Sequence, residues 1–283
     1  MPIVINHLTF AYTQGGKTLE PTLKDLSFTI EEGSFLGIIG HTGSGKSTFV
    51  KHLNGLLPCE KGTVVVDGHD LSQKGERRTV RSLVGMVFQY PEYQLFAETV
   101  YEDVAFGPRN MKLDEAEIKN RVIQAMTMVG LDPDRFSERS PFELSGGERR
   151  RAAIAGVLAM QPKYLVLDEP MAGLDPLGRK EILALLEKLR KDSGCTIIMI
   201  SHSMDDIANH ATKVLVLEQG SVFLYDTPQN VFSKAEELQR IGLSVPSITK
   251  ICIEMNRKGV AIPTSICTED AFLNLFREGK SHA

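Results

Sequence analysis

The sequence has no long hydrophobic run, no excess of positive charge and no clustered cysteines. No apolar stretch approaches the roughly 18 residues that are needed to cross a bilayer, and residues 1–4 lack the basic and apolar regions of a secretory signal. The net charge of -4 gives no global basic field for nucleic acid or anionic lipid. We therefore expect a soluble, cytoplasmic protein that binds no nucleic acid and that contacts a membrane only through a partner.

The cysteines are widely separated in the chain. None belongs to a CxxC pair or to a His/Cys cluster, so their spacing supports neither a disulfide framework nor a metal site. We expect all of them to be small buried hydrophobic residues in a reducing compartment, namely Cys59, Cys195, Cys252 and Cys267.

Apolar periodicity predicts an α/β fold. Residues 3–30 alternate apolar and polar positions around a turn at residues 13–16, a pattern typical of antiparallel strands. Short apolar runs predict further strands at residues 35–39, 63–66, 83–88, 164–167 and 196–200. Helical patterns lie between these runs, at residues 46–57, 145–160 and around Ile182, Leu186 and Leu189. Because buried strands alternate with helices, we predict a core built on a largely parallel sheet.

Two regions are predicted to be mainly helical. Residues 98–139 carry two helical patterns, and one of them has an apolar stripe that consists of Ile118, Val122, Ala125, Met126 and Val129. After residue 228 the sequence predicts short helices, which are separated by Pro246, Gly259 and Pro263. We interpret this tail as a small appended helical module.

A glycine-rich segment follows the predicted strand at residues 35–39 and satisfies the spacing G-x-x-x-x-G-K-[ST]. Glycines let the backbone wrap so that N–H groups point at phosphate oxygens, and the helix that follows adds the positive end of its dipole. The lysine would contact the β and γ phosphates, and the last serine would bind Mg²⁺. A structural glycine turn is the weaker alternative, because a strand precedes the segment and a helix follows it. The predicted binding residues are Gly40, His41, Thr42, Gly43, Ser44, Gly45, Lys46, Ser47 and Thr48.

Two further motifs allow more than one interpretation. Asp168 and Glu169 end an apolar strand, which fits a solvated acidic turn; beside a phosphate loop, Asp168 would hold Mg²⁺ and Glu169 would polarise a water. Ser145 and Glu148 fit a capping box at a helix start, where Gly146 and Gly147 would also let a phosphate approach. The arginines at positions 149–151 are by default a solvated helix face, and spacing alone does not choose among these readings.

These motifs, in this order, resemble those of the ABC ATPases over about residues 1–230. Residues 40–47 resemble Walker A, residues 144–148 the LSGGQ signature, residues 167–169 Walker B and residues 172–175 the D-loop. Gln89 resembles the Q-loop glutamine, His202 the switch histidine and Tyr12 the aromatic residue that stacks on adenine. Glu148 departs from the family, which usually has Gln at this fifth signature position.

The resemblance implies a P-loop NTPase fold with an antiparallel β subdomain, a helical subdomain at about residues 95–160 and a C-terminal helical module at residues 231–283, for dimerisation. It also implies that two such domains pair head to tail, so that the signature residues contact an ATP held by the other chain. His202 would contact the γ-phosphate bound to its own chain, and Gln89 would touch Mg²⁺ or the attacking water. The implied cofactors are ATP and Mg²⁺.

A finer resemblance comes from residues 88–96 (FQYPEYQLF) and 104–108 (VAFGP), with residues 152–160 and 245–250. They look like the energy-coupling factor ATPases, which drive vitamin or transition-metal uptake, and residues 40–44 and 155–160 look most like the second of two paralogous ATPases. The implied partners are a second ATPase (paralogue or identical chain), a transmembrane T subunit and a substrate-binding S subunit, at the cytoplasmic face of the membrane.

Alternatives remain open at this level. The chain could serve another ABC importer, or it could be a soluble ABC ATPase that works on ribosomes or DNA, although it shows neither a second fused ATPase domain nor a long coiled coil. Tyr93, Leu95 and Phe96 fit either core packing or a surface groove that accepts a coupling helix of the membrane subunit.

Overall fold

A computed structural model of the chain describes residues 1–279. The strands in this part of the chain are β1 (Ile3–Phe10), β2 (Thr13–Gln14), β3 (Lys17–Thr18), β4 (Leu23–Ile30), β5 (Phe35–Ile39), β6 (Val64–Val66), β7 (His69–Asp70), β8 (Val84–Val87), β9 (Tyr164–Asp168), β10 (Thr196–Ile200), β11 (Lys213–Glu218) and β12 (Ser221–Asp226).

The first helix begins directly after the glycine-rich loop. The helices in the same part of the chain are α1 (Lys46–Leu53), α2 (Glu76–Leu83), α3 (Val100–Asn110), α4 (Glu115–Met128), α5 (Pro133–Phe136), α6 (Gly146–Leu158), α7 (Pro176–Ser193), α8 (Met204–His210), α9 (Pro228–Ser233), α10 (Ala235–Arg240), α11 (Ser247–Arg257) and α12 (Glu269–Gly279). Short 3₁₀ turns lie at Pro91–Gln94 and Pro141–Glu143.

The central sheet brings three strand ends to one edge. Its order is β12-β11-β5-β10-β9-β8, and every neighbouring pair is parallel except β11 and β12. On β10, Ile198 lies opposite Leu36 of β5 on one side and Val166 of β9 on the other. Because parallel strands end at the same edge of a sheet, the loops that follow β5, β9 and β10 meet there. The predicted mixed, largely parallel sheet is confirmed.

The second sheet is antiparallel, with the order β4-β1-β6-β7. A separate hairpin of β2 and β3 turns at Gly15 and Gly16, whose φ angles of 58° and 77° are the left-handed values that a tight hairpin requires. The antiparallel strands and the turn predicted for residues 3–30 are therefore confirmed.

Both faces of the central sheet are buried in apolar cores. Leu165 and Leu167 of β9 point into a large core that contains α4, α6 and α7 residues. Val166, between them, points into a second core shared with the antiparallel sheet and with Phe49 of α1. This alternation follows from the two-residue period of a strand, and it explains why these strands consist almost wholly of apolar residues.

The helical part between β8 and β9 packs on the large core. The predicted stripe of α4 is confirmed, because Ile118, Val122, Ala125 and Met126 are buried and Val129 is 5% exposed. The structure forms α3, α4 and the short α5 where two helical patterns were predicted. Thr99 and Asp114 accept hydrogen bonds at the amino ends of α3 and α4, so each helix begins at a side-chain cap.

The tail divides between two cores. Val231, Phe232 and Leu238 are buried in the large core, whereas Cys252 and Ile262 belong to a small core of their own near α11. A link to the main body is the carboxylate of Asp205, on α8, which accepts hydrogen bonds from Ser247 N (2.8 Å) and Ser247 Oγ (2.9 Å). The last four residues of the predicted module at residues 231–283 lie outside the described residues, and its boundary stays a prediction.

Two predictions about individual residues are corrected. Cys59 is only half-buried, although the other three cysteines are buried as predicted and all four are free thiols. The solvated-face reading of the arginine run is wrong for Arg150, which is 3% exposed, because α6 packs this position against the turn at Pro91–Gln94. None of the helices within residues 1–279 is both long and apolar enough to span a bilayer.

Candidate functional site

The loop after β5 closes on the side chain of Lys46. Lys46 Nζ donates hydrogen bonds to Gly40 O (2.7 Å) and His41 O (2.9 Å), and only 6% of the residue is exposed. Burial lowers the pKa of Lys46, while the neighbouring carboxylates of Glu169 and Asp168 act to raise it. The loop thus holds a buried ammonium group at its centre.

Two glycines of this loop are required by close packing. A Cβ on Gly45, which has a φ of 99°, would lie 2.8 Å from Leu23 Cδ2. A Cβ on Gly40 would lie 2.5 Å from Leu217 O. Helix α1 then begins with no side-chain cap and no acidic residue in its first turn, so its amino end stays available to an anion.

The acid pair lies beside this loop at the end of β9. Asp168 is 7% exposed, and burial raises the pKa of its carboxyl group against the opposing effect of a hydrogen bond from Ser47. Glu169 has a φ of 52°, a left-handed value that is unfavourable for a residue with a side chain. Its backbone N–H donates to Ile200 O at 3.2 Å, which ties the strained turn to the end of β10.

The carboxylate of Glu169 joins two other predicted site residues. His202 Nε2 lies 2.8 Å from Glu169 Oε1, and Gln89 Nε2 donates to Glu169 Oε2 at 3.3 Å. Gln89 follows β8 and His202 follows β10, so both come from strand ends at the same edge of the sheet. Glu169 and His202 also line a cavity of 370 Å³, together with Ser201 and Arg179.

Tyr12 lies next to the helix that carries Lys46. Its hydroxyl is 3.2 Å from Thr48 Oγ1, and its ring meets Phe10 edge to face with centroids 4.9 Å apart. Tyr12 is 37% exposed, so it is not a core residue. An exposed aromatic face beside a phosphate loop suits a stacked base.

The turn before α6 forms the predicted capping box. Ser145 Oγ accepts from Glu148 N at 3.3 Å, and Glu148 Oε2 accepts from Ser145 N at 2.8 Å. Hydrogen bonds from the Ser145 hydroxyl and from the Ser145 backbone N–H to the Glu148 carboxylate lower the pKa of Glu148. Gly146 and Gly147 are exposed with open space beside them. Within residues 1–279, no hydrogen bond or ion pair joins this turn to the loop at residues 40–48.

The donors at the site fit Mg²⁺ bound together with a phosphate. A hydroxyl on Ser47 and a buried carboxylate on Asp168 are hard oxygen ligands, and they are already in contact. In the described part of the chain no group of three His, Cys, Asp or Glu side chains could hold a metal ion. Mg²⁺ commonly binds to one or two protein side chains, while phosphate oxygens and water complete its coordination shell. The pair of Ser47 and Asp168 fits this mode of binding.

Comparisons with known proteins show the family of the chain. The model of the family described as ABC transporter matches residues 23–172. The energy-coupling factor transporter ATP-binding protein EcfA2 of Caldanaerobacter subterraneus subsp. tengcongensis is 48% identical over 98% of this chain and 97% of its own length. The protein of the same name from Symbiobacterium thermophilum is 51% identical over 95% and 93%. The chain belongs to the energy-coupling factor ATPase family.

Solved structures of ABC ATPases have the same fold as this energy-coupling factor ATPase. The structure of cbiO1 from Clostridium perfringens, described as part of the ABC transporter complex cbiONQ, matches with a TM-score of 0.73 and 37% identity over 88% of this chain and 97% of that one. A dimer of the cassette MJ0796, bound to ADP and Pi, matches with a TM-score of 0.71 and 28% identity over 80% and 98%. The predicted family and fold class are confirmed.

Tyr93, Leu95 and Phe96, for which core packing and a surface groove were both possible, differ in their burial. Tyr93 is 84% exposed and Phe96 is 63% exposed, whereas Leu95 is buried as a core residue. Leu95 and Phe96 line an open groove of 1020 Å³ between α2, α3 and α6. This groove borders the segment that begins at Gln89, which in turn contacts Glu169.

Two basic residues near the site of this energy-coupling factor ATPase were given no functional role by the sequence. Arg179 lines the cavity beside Glu169, and its guanidinium donates to Asp206 Oδ2 from Nη2 (2.6 Å) and Nε (2.9 Å). Arg150 is buried between α6 and the turn at Pro91–Gln94. Arg150, Ile154 and Leu158 follow one another at intervals of four residues on α6, and the last two are buried. This spacing was the signal that could have revealed the inward position of Arg150.

Proposed function

We propose that the chain is the ATP-binding and ATP-hydrolysing subunit of an energy-coupling factor transporter. The observation that carries this proposal is the carboxylate of Glu169, which is held by Gln89 and His202 next to the loop that surrounds Lys46. A carboxylate that is fixed at the edge of a phosphate loop is in the position required to act on a water molecule that attacks a terminal phosphate. Family membership supports the same conclusion.

ATP would bind by replacing contacts that the loop now makes with itself. Lys46 would exchange the carbonyls of Gly40 and His41 for β- and γ-phosphate oxygens, which are stronger, charged acceptors. Residues 40–48 would surround the phosphates with backbone N–H groups, and the exposed ring of Tyr12 would stack on adenine. Ser47 and Asp168 would hold Mg²⁺, which neutralises phosphate charge when it is bound.

Hydrolysis would then depend on the three residues that meet at the strand ends. Glu169 would accept a hydrogen bond from the attacking water and take its proton as the water oxygen bonds to the γ-phosphorus. The bond from that phosphorus to the β–γ bridging oxygen would break in the same step, with ADP and phosphate as the products. Gln89 would orient the same water or Mg²⁺, and His202 would turn from Glu169 Oε1 to a γ-phosphate oxygen. The left-handed turn at Glu169 supports this role, because backbone strain of about 1–3 kcal/mol is tolerated mainly where a side chain must point in one direction.

The signature turn would act on the nucleotide of a second ATPase, either a paralogue or an identical chain. The start of α6 has open space beside its two glycines, and no hydrogen bond or ion pair joins it to residues 40–48 of its own chain. The residues concerned are Ser145, Gly146, Gly147 and Glu148. We propose a head-to-tail dimer in which these residues contact the γ-phosphate that the other chain holds. The module at residues 231–283 would add a dimer contact to the domain at residues 1–230.

The membrane partners would be a T subunit and a substrate-binding S subunit, and the cargo would be a vitamin or a transition-metal ion. We propose that a coupling helix of the T subunit enters the groove lined by Leu95 and Phe96, which lies in the predicted helical subdomain at about residues 95–160. Exposed aromatic side chains at the rim of an apolar groove are typical of a surface that a partner helix covers. This contact would hold the chain at the cytoplasmic face of the membrane.

Purification of the chain with its membrane partners tests the proposal. Mass spectrometry of the complex should identify a T subunit and an S subunit, and the complex should release phosphate from Mg-ATP. The variant Phe96→Ser should reduce recovery of the T subunit while ATP binding by the chain persists, because Phe96 lies at the groove and not at the phosphate loop. Stable assembly of the wild-type chain into another class of transporter would contradict the proposal.

A further inference from the structure

We propose that Arg150 is a positioning residue that connects the wall of the groove with the loop after Glu169, so that occupancy of the groove is sensed at the catalytic carboxylate. This inference rests on the proposed function, and it concerns one buried guanidinium group. Arg150 lies on α6, five positions after the Ser145 cap, and only 3% of it is exposed.

The guanidinium contacts two segments that are distant in the sequence. Arg150 Nη1 donates a hydrogen bond to the carbonyl of Ala172, and Arg150 Nε lies 3.3 Å from Glu92 Oε2. The Glu92 side chain is 18% exposed and that of Arg150 is 4% exposed, so solvent screens this ion pair only weakly. Glu92 compensates the charge of the buried guanidinium, and the Ala172 carbonyl accepts one of its N–H groups. The same group is therefore fixed between the two segments.

One end of this connection lies at the groove. Glu92 belongs to the turn at Pro91–Gln94. The groove is lined by the last residue of this turn and by the two residues after it, Leu95 and Phe96. Gln89, which contacts Glu169 directly, precedes the same turn. A partner segment that settles in the groove therefore presses on the turn that carries Glu92.

The other end lies at the catalytic loop. Ala172 N donates to Glu169 O at 3.2 Å, so the residue whose carbonyl Arg150 binds is itself hydrogen-bonded to Glu169. Ala172 also lines the 370 Å³ cavity that contains Glu169 and His202. A displacement of Arg150 is thus transmitted to the backbone that sets the direction of the Glu169 carboxylate.

The pairing of Arg150 with Glu92 has room to change. Arg150 Nε, Arg150 Nη2 and Glu92 Oε2 are buried, and none of them makes a well-aligned hydrogen bond with another described residue. Guanidinium and carboxylate groups prefer a bidentate arrangement, which a small shift of the turn relative to α6 would supply. Such a shift would give these buried atoms hydrogen-bond partners, and Arg150 would pass it to Ala172.

Hydrogen–deuterium exchange on the whole chain tests this connection. Exchange is measured at residues 89–96 and 170–175, for the chain alone and for the chain assembled with its membrane partners. In the wild-type chain, assembly should slow exchange at both segments. In Arg150→Lys, which keeps the charge but loses the planar fork, assembly should still slow exchange at residues 89–96, and the effect at residues 170–175 should fall to less than about half.

Kinetics in the assembled complex provide a second readout. Arg150→Lys should lower kcat for ATP about tenfold and change KM less than about threefold, because a misplaced catalytic loop slows the reaction without removing the binding contacts. Glu92→Gln should behave in the same way, and the double variant should be no worse than the single ones, since the residues act as one unit. Glu92→Gln also serves if Arg150→Lys does not fold.

A matched control is Arg190→Lys, because Arg190 pairs with Glu187 (3.2 Å) within α7, away from the residues that line the groove and from residues 170–175. It should leave exchange and kinetics unchanged. Wild-type exchange that changes only at residues 89–96, or equal propagation in Arg150→Lys and the wild type, would overturn the role of Arg150. The proposed function is judged separately, by whether the wild-type complex hydrolyses ATP at all.

Discussion

Replacement of Glu169 by Gln isolates the charge of the carboxylate that we propose as the catalytic base. The amide has nearly the same shape, and it can still meet Gln89 and His202, which now lie 3.3 Å and 2.8 Å from the carboxylate oxygens. Glutamine carries the same backbone cost as glutamate at a φ of 52°, so the turn should keep its conformation. The variant therefore differs from the wild type mainly in its ability to accept a proton.

The size of the effect follows from this loss. General-base assistance contributes about 10²–10⁴-fold in rate, which corresponds to about 2.7–5.4 kcal/mol of transition-state free energy. We expect kcat for Glu169→Gln to decrease by about 10²–10⁴-fold relative to the wild type. Nucleotide affinity should be equal or higher, because a negative charge near the triphosphate is removed while Lys46 and its loop remain.

Three measurements on the purified ATPase test the reasoning. Phosphate release gives kcat, titration with a fluorescent ATP analogue gives the affinity, and size exclusion with Mg-ATP reports whether the closed dimer accumulates. Circular dichroism and the melting temperature control for folding. Hydrolysis within threefold of the wild type would refute the assignment of Glu169, whereas lost affinity with normal folding would place Glu169 in binding.

Three further changes test other parts of the site and fold. Tyr12→Ala should weaken ATP binding by about 1–3 kcal/mol, while Tyr12→Phe should bind nearly normally; an unchanged affinity in Tyr12→Ala would exclude stacking. Glu148→Gln should keep the capping box with Ser145 and lose about 0.3–1 kcal/mol of stability, with ATP-driven dimerisation no weaker than in the wild type; a lost dimer would show that the carboxylate is required. Burial raises the pKa of Asp67, but hydrogen bonds from Lys163 and the terminal ammonium outweigh it and lower the pKa from 3.8 to about 2. This lowered pKa stabilises the fold above about pH 4, and the stabilisation is lost as the pH falls towards 2. Asp67→Asn should therefore reduce the free energy of unfolding by about 1–2 kcal/mol at pH 7 and by progressively less in acid. Urea titrations that give the same difference at every pH would contradict this prediction.

Local patterns in the sequence predict much of this structure. The strand at residues 196–200 is predicted with its observed bounds, because four apolar residues follow Thr196 and the whole run is buried on both faces of the sheet. The loop at residues 40–48 follows from glycine spacing between a strand and a helix. The capping box at Ser145 follows from the S-x-x-E pattern, which needs only residues of one helix turn.

Contacts between distant segments are not predictable in this way. The sequence places Gln89, Glu169 and His202 at three strand ends, but only the strand order brings their side chains together. The left-handed backbone of Glu169 depends on its hydrogen bond to Ile200, on another strand. Arg150 resembled a solvated arginine because its partners, Glu92 and Ala172, lie far away along the chain.

The central claim is that Lys46 and the loop around it grip a triphosphate, and a binding titration tests it most directly. An analogue of Mg-ATP is titrated into the wild type, Lys46→Ala and the control Lys119→Ala, which removes an equal charge from the exposed face of α4. Lys46→Ala should bind at least about tenfold more weakly, since one hydrogen bond to a charged group is lost. Lys119→Ala should stay within about threefold of the wild type, because Lys119 is exposed and solvent screens its charge. An affinity of folded Lys46→Ala equal to that of the wild type would contradict the account.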